Sequence, residues 1–210
     1  MLLKGQTRPQ PDKKSKTMKT TLKLTASLAL LTFLVGCVVS SVYPFYTAKD
    51  VVFEPALVGV WAEAASSSAS NEHWRFDKAD GGAYLLTVQE NEKRTEFDTH
   101  LFKLKGRLYL DVLPRERPEN SLPPHYLFKV IRVEPTLEMA LLDYDWLTKL
   151  VEKNPKAIRH TVVPNKLGEK EGGGFLVLTA DTAELQKFIL KHEKTEGAFG
   201  KTNVMNRWKN

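Results

Sequence analysis

Apolar and polar residues alternate along most of the middle of the chain, which is typical of β-strands with at least one buried face. The clearest run is 95–104, where Phe97 and Leu101 would point to one face and Phe102 and Leu104 to the other. Short segments containing Gly or Asn separate the runs and favour tight turns between antiparallel neighbours. The pattern predicts strands at 57–63, 73–76, 83–90, 95–104, 108–112, 126–130 and 137–142, and further strands at 159–163 and 175–179.

Two helices interrupt this pattern late in the chain. Asp143 can cap a helix over 145–152, which the pair Asn154-Pro155 would end. Asp181 and Glu184 form a pair of the capping-box type, and the apolar residues after them follow helical spacing.

These elements predict a mainly β, β-rich α+β fold with about seven to nine antiparallel strands and two late helices. An antiparallel sheet that curls closed into a barrel or half-barrel is the first expectation, because closure removes exposed sheet edges. A flatter sheet with both helices on one face is the alternative.

Residues 24–36 form an apolar stretch that follows Lys19 and Lys23 and ends directly before Cys37, the only cysteine in the chain. The stretch has 13 residues, fewer than the about 20 that a transmembrane helix needs. A basic segment followed by an apolar run of this length is typical of a signal peptide. A single cysteine also leaves no internal disulfide to expect.

The segment Leu34, Val35, Gly36 and Cys37 resembles the lipobox of bacterial lipoproteins. The resemblance implies that Cys37 becomes the first residue of the mature protein and carries a diacylglycerol, usually with an amide-linked acyl chain as well. A plain secretory signal or a short membrane anchor, with Cys37 incidental, is the alternative. Val38 follows the cysteine, and the absence of Asp there implies sorting to the outer membrane, facing the periplasm, if the cell is Gram-negative.

The sequence therefore divides into four parts. Residues 1–36 are the expected signal peptide, with 1–17 an over-long start if translation begins at Met18. Residues 37–54 are expected to be the lipidated cysteine and a tether. Residues 55–192 form the predicted barrel-like domain with its two helices, and 193–210 are expected to be a loosely ordered C-terminal tail.

The net charge of +6 comes entirely from the leader. Residues 1–36 hold seven of the 31 basic residues and one of the 25 acidic ones, which leaves 24 of each in the rest of the chain. A strongly basic balance would indicate a nucleic-acid partner, but the segment after residue 36 is neutral. No nucleic acid is therefore expected as a partner.

Gly59 and Trp61 resemble the Gly-x-Trp start of lipocalin-like barrels, in which the Trp plugs one end. The wider pattern over about 50–200 resembles a group of uncharacterised bacterial lipoproteins, and the resemblance implies a fold but no assigned activity. The matching segments are His100-Leu101 with Leu104, Leu110-Asp111, Pro123-Pro124-His125, Asp143 with Trp146-Leu147, and Leu178 to Leu185.

Two sets of residues are candidates for chemistry. His100, His125 and His160 with Asp111 have the side chains of a transition-metal site, although their long spacing favours packed or hydrogen-bonded histidines. Four aromatic residues on predicted strands are candidates to line an apolar ligand cavity, or to fill a core. These are Trp61, Trp74, Tyr84 and Tyr109.

No nucleophile motif or phosphate-binding glycine loop is found, so no catalytic residue and no cofactor are predicted. The first hypothesis is a non-catalytic envelope protein, held to the bilayer through acylated Cys37, that binds a small apolar or amphipathic ligand in the barrel. The alternative is an assembly or interaction lipoprotein with a solid core and an envelope protein as its partner. A metal-dependent enzyme is the third.

Overall fold

The computed structural model describes residues 38–63, 72–119, 121–164 and 174–208. The expected signal peptide, 1–36, and Cys37 lie outside these ranges. Eleven strands and two α-helices occur in the described chain. The strands are β1 (Ser40–Ser41), β2 (Gly59–Glu63), β3 (His73–Lys78), β4 (Tyr84–Glu90), β5 (Lys93–Leu104), β6 (Arg107–Pro114), β7 (Tyr126–Arg132), β8 (Leu137–Leu141), β9 (His160–Pro164), β10 (Gly174–Leu178) and β11 (Asn203–Arg207), and the helices are α1 (Tyr144–Lys153) and α2 (Thr182–His192).

Eight of the strands form a closed antiparallel barrel. Strands β2 to β8 follow one another in sequence order, and β11 pairs with both β8 and β2. The predicted mainly β fold with two late helices is confirmed, and the sheet is closed rather than flat. None of the helices within the described ranges has the length and hydropathy needed to cross a bilayer.

The side chains of the central strands are buried on both faces of the sheet. Leu101, Leu110 and Phe128 belong to the cluster inside the barrel, whereas Tyr109 and Leu127 belong to a second cluster on its outer face. Successive residues of a strand point to opposite faces, so apolar residues at both parities require two cores. This explains why 95–104 carries apolar residues on both faces.

The second core lies beneath a small sheet and the two helices. Strands β1, β10 and β9 form a three-stranded sheet in the order β1-β10-β9. The helices begin at their predicted caps, because Asp143 accepts a hydrogen bond from the Trp146 amide at 2.7 Å and Asp181 accepts one from the Glu184 amide at 3.0 Å. The helix residues buried in the outer cluster are Leu147, Val151, Leu185, Phe188 and Ile189.

The structure differs from the sequence-based expectation at both ends of the domain. Residues 38–54 were expected to be a tether, but Val39 and Phe45 are each only 1% exposed. Residues 203–207 were expected to lie in a loose tail, but they form the strand that closes the barrel. That strand was missed because only Val204 and Met205 are apolar, and only Met205 is buried.

One end of the barrel, which we call the closed end, is formed by Gly59, Trp61 and Arg207. The last strand, β11, stabilises this end through Arg207. The Arg207 guanidinium lies over the Trp61 ring, 4.1 Å from its centroid, and donates hydrogen bonds to the carbonyls of Val58 and Ala56. Gly59 has a φ of +132°, and a Cβ there would collide with the guanidinium. The Gly-x-Trp motif therefore serves to receive an arginine from the far end of the chain.

We expect Arg207→Ala to lower the free energy of unfolding by about 1.5–3 kcal/mol, because hydrogen bonds from a charged donor and a cation–π contact are lost together. The free energy of unfolding of Arg207→Lys should lie between those of the wild type and Arg207→Ala, because a lysine ammonium cannot reproduce the planar, forked hydrogen bonding of a guanidinium. Urea titration followed by circular dichroism measures both variants.

Arg132 provides the matched control for this substitution. It pairs with Glu138 at 3.5 Å, and its side chain is 52% exposed, so Arg132→Ala should change stability by no more than about 0.5 kcal/mol. Equal losses for Arg207→Ala and Arg132→Ala would show that the closed end does not depend on Arg207.

Candidate functional site

Side chains fill the barrel interior at the closed end. The opposite end, which we call the open end, contains a cavity. A cavity of about 460 Å³ lies between the open-end halves of β3 to β7 and the loop that joins β6 to β7. Its apolar wall includes Trp74, Leu86, Phe97, Val112, Tyr126 and Phe128.

The inward side chains differ between the two ends of the barrel. Towards the closed end, Trp61, Phe76 and Tyr84 are fully buried and fill the interior. Towards the open end, aromatic side chains line the wall together with the smaller Val88 and Val112. An eight-stranded barrel is just wide enough to be filled by large side chains or to hold one small ligand, and at the open end the side chains leave space for one.

The rim of the cavity is charged, and we call it the mouth. It is bordered by the exposed residues Lys93, Arg94, Arg117 and Leu122. Glu90 lies opposite Lys93 in the register of β4 and β5, and burial together with the nearby Glu72 carboxylate raises its pKa. An apolar wall beneath a rim of mixed charge suits a ligand with an apolar body and a polar end.

The structure separates the four predicted aromatic ligand residues. Trp74 lines the cavity, whereas Trp61 and Tyr84 fill the interior on the closed-end side. Tyr109 lies on the outer face of β6, where it stacks on Phe102 with the ring centroids 5.5 Å apart. Three of the four therefore share the barrel interior, but only Trp74 contacts the empty space.

Each aromatic residue away from the cavity has a structural partner. Trp61 Nε1 donates to the Leu57 carbonyl at 2.9 Å. The Tyr84 hydroxyl donates to the Glu54 carbonyl at 3.1 Å, and burial raises its pKa. Burial and the Glu193 carboxylate raise the pKa of Tyr109 to about 12. These interactions fix the residues in the two cores.

Sequence reasoning missed most of the cavity wall. Leu86, Phe97, Val112, Tyr126 and Phe128 line it together with Trp74, and only Trp74 was a candidate. The signal in the sequence was the alternation of faces along each strand. Residues 108, 110 and 112 point to one face, and 109 and 111 to the other. That alternation assigns Tyr109 to the opposite face from Val112.

Two of the three candidate histidines meet Asp111 on the outer face of the barrel. The Asp111 side chain is only 1% exposed, and its carboxylate bonds His125 Nδ1 at 2.7 Å and accepts from the Phe45 amide at 2.8 Å. His100 pairs with Asp111 in the β5–β6 register and stacks on Tyr46, with ring centroids 4.3 Å apart.

The environment of this cluster shifts the pKa values of two rings. Burial lowers the pKa of His100, although the Asp111 and Asp98 carboxylates oppose the shift. Burial and the same carboxylates raise the pKa of Tyr46 to about 12. The cluster also holds the 38–54 segment against the barrel, because Asp111 accepts from the Phe45 amide.

His160 lies apart from the other candidate metal ligands. It is in β9, and its Nδ1 contacts the Ile158 carbonyl at 2.9 Å. In the ranges that the structure describes, no group of three His, Cys, Asp or Glu side chains is placed to hold a metal ion. Leu34, Val35, Gly36 and Cys37, the residues that resemble a lipobox, lie outside the described residues.

We expect Asp111→Asn to lower the free energy of unfolding by about 1–3 kcal/mol, because the amide offers one buried acceptor oxygen where the carboxylate uses two. The Phe45 amide should also exchange its hydrogen faster. Asp98→Asn is the control, since Asp98 and its partner Arg115 are exposed and such pairs contribute less than about 1 kcal/mol. Unchanged exchange at Phe45 in Asp111→Asn would contradict the anchoring role of Asp111.

The chain was compared with family models, with curated proteins and with solved structures. No family model, curated protein or solved structure matches it.

Proposed function

We propose that this protein is a lipid-anchored binding protein of the bacterial envelope, which holds a small apolar or amphipathic ligand in the open half of its barrel. The observation that carries the proposal is the cavity of about 460 Å³. Its volume falls within the range of about 300–1,000 Å³ that is usual for small-molecule sites. The apolar wall and charged mouth match an amphipathic ligand.

The packing around the cavity favours binding without a large rearrangement. The closed barrel has paired strands on every side, and a second core supports the outer faces of β5, β6 and β7. A site whose walls are already ordered loses little conformational freedom when a ligand enters, so more of the contact energy appears as affinity.

A solid-core interaction module explains the structure less well. That hypothesis predicts inward side chains that fill the barrel along its whole length. The closed-end half meets this condition, but the open-end half leaves a space lined by Trp74 and Phe128. Ligand binding therefore accounts for a feature that an interaction module does not require.

The proposed anchor rests on the lipobox-like segment that ends at Cys37. The buried fold begins at Val39, only two residues later, and so no long tether would separate the anchor from the barrel. Acylation of Cys37 would therefore hold the barrel close to the bilayer. We place the protein in the bacterial cell envelope, with the periplasmic face of an outer membrane favoured in a Gram-negative cell.

Native mass spectrometry of the full lipoprotein, extracted from membranes, should detect a noncovalent small-molecule adduct. Val88→Phe places a larger side chain in the cavity and should weaken binding about 5- to 150-fold, because overfilling a packed site costs about 1–3 kcal/mol. Gln89→Phe adds the same side chain at the neighbouring position, which does not line the cavity, and should keep the adduct. An adduct that is absent from the wild type, or unaffected by Val88→Phe, would contradict the proposal.

The intact mass of the membrane-extracted protein tests the anchor separately. We expect a mature chain that begins at Cys37 and carries a diacylglycerol and an acyl group. Cys37→Ala should accumulate with residues 1–36 still attached, because the proposed processing requires the thioether. A wild-type chain that retains those residues and a free thiol would show that Cys37 is not lipidated.

A further inference from the structure

The cavity reaches the residue next to the proposed lipid anchor. Val38 lines the cavity, and it directly follows Cys37 in the sequence. Consecutive Cα atoms are about 3.8 Å apart, and Val39 is already buried. An acylated Cys37 would therefore lie beside the cavity, with no spare chain between the anchor and the fold.

Exposed apolar side chains lie in the same region. Leu122 borders the mouth and is 71% exposed. Phe175 and Val163 face each other across β10 and β9, and they are 44% and 45% exposed. Such a group of exposed apolar side chains is typical of an interaction surface.

The parallel register of the small sheet brings Phe175 to the same side as Val38. Ser40 pairs with Val177 in the parallel pair of β1 and β10. Val38 and Phe175 each precede these residues by two positions, so both lie at the same end of the small sheet. The exposed apolar residues of the small sheet therefore lie at the end from which the chain leads to its proposed anchor.

From this arrangement we propose that the mouth opens onto the bilayer that anchors the protein, and that the cavity takes one acyl chain of an amphiphile directly from that bilayer. The inference rests on the proposed function, to which it adds the ligand class and the route of entry. An eight-stranded barrel holds one small ligand, which limits the occupant to a single chain.

Direct entry removes the largest obstacle to lipid transfer. A chain that crosses water loses a factor of about four in equilibrium population for each methylene exposed. A chain that passes from the bilayer to an apolar wall at the mouth avoids this loss. Lys93, Arg94 and Arg117 would remain at the depth of the lipid headgroups, where basic side chains meet phosphates. Glu90 and Glu116, which line the same cavity, would lie beside them.

The acyl chains of Cys37 itself offer the same chemistry from a second source. A chain of that kind would occupy the cavity permanently and exclude lipids of the bilayer. Val38 lies close enough to the cavity for either source, so the experiment must distinguish them. The occupant in this proposal is a lipid of the bilayer.

The test uses the full lipoprotein reconstituted through its own anchor into phosphatidylethanolamine and phosphatidylglycerol vesicles. Bromine atoms quench tryptophan fluorescence on contact. Vesicles that contain lysophosphatidylethanolamine with a dibrominated chain should quench Trp74, measured as the part of the quenching that Trp74→Phe removes. Val88→Phe should lower this part at least severalfold, whereas Gln89→Phe should retain it.

Orientation is measured independently with dibrominated diacyl phospholipid, which stays in the bilayer. Leu122→Trp places a fluorophore at the mouth, and Ile131→Trp places one at an exposed position, 50% accessible, near the closed-end terminus of β7. We expect quenching of the added Trp at 122 to exceed that at 131 at least severalfold.

The outcomes separate this inference from the proposed function. Equal or reversed quenching at 122 and 131 would overturn the membrane-facing mouth, while a native adduct sensitive to Val88→Phe would still support ligand binding. A quenched 122 with an unquenched Trp74 would overturn entry of bilayer lipid. Quenching of Trp74 that Val88→Phe leaves unchanged would also overturn the assignment of the cavity.

Discussion

The contact between the last strand and the first strand of the barrel is the constraint on which the rest of the structure depends. Arg207 occupies the space that the missing side chain of Gly59 leaves, and its guanidinium covers Trp61. Because β11 pairs with β8 on its other side, this contact joins the two ends of the sheet. Strand β11, which carries Arg207, thus closes the curled sheet into a barrel.

The two halves of the closed interior are filled differently. Trp61 and Tyr84 satisfy their polar atoms with the backbone of Leu57 and Glu54, so large aromatic residues can fill the closed end without leaving buried groups unpaired. At the other end the wall includes Val88 and Val112. The paired strands of the closed barrel keep the walls of this cavity apart.

The elements that sequence analysis predicted are those with a strong local signal. The alternation over 95–104 and the caps at Asp143 and Asp181 require only nearby residues. Strand β11 has no such signal, because its place depends on pairing with strands far away in the sequence. The cavity wall was missed for the same reason, since Phe97 and Val112 meet only through the register of neighbouring strands. The sequence alone could have assigned Tyr109 to the outer face of the barrel, because its neighbours on either side in the strand point inward.

The buried Asp111 links the fold to the proposed anchor. It holds the Phe45 amide and His125 together on the outer face of the barrel, and β1 pairs with His125 through Ser41. The segment that follows Cys37 is therefore part of the folded body rather than a flexible tether. A rigid connection transmits the position of an anchor to the barrel, whereas a flexible one would let the barrel rotate freely. Under the proposed lipidation, this rigidity would let an acylated Cys37 determine which face of the protein meets the bilayer.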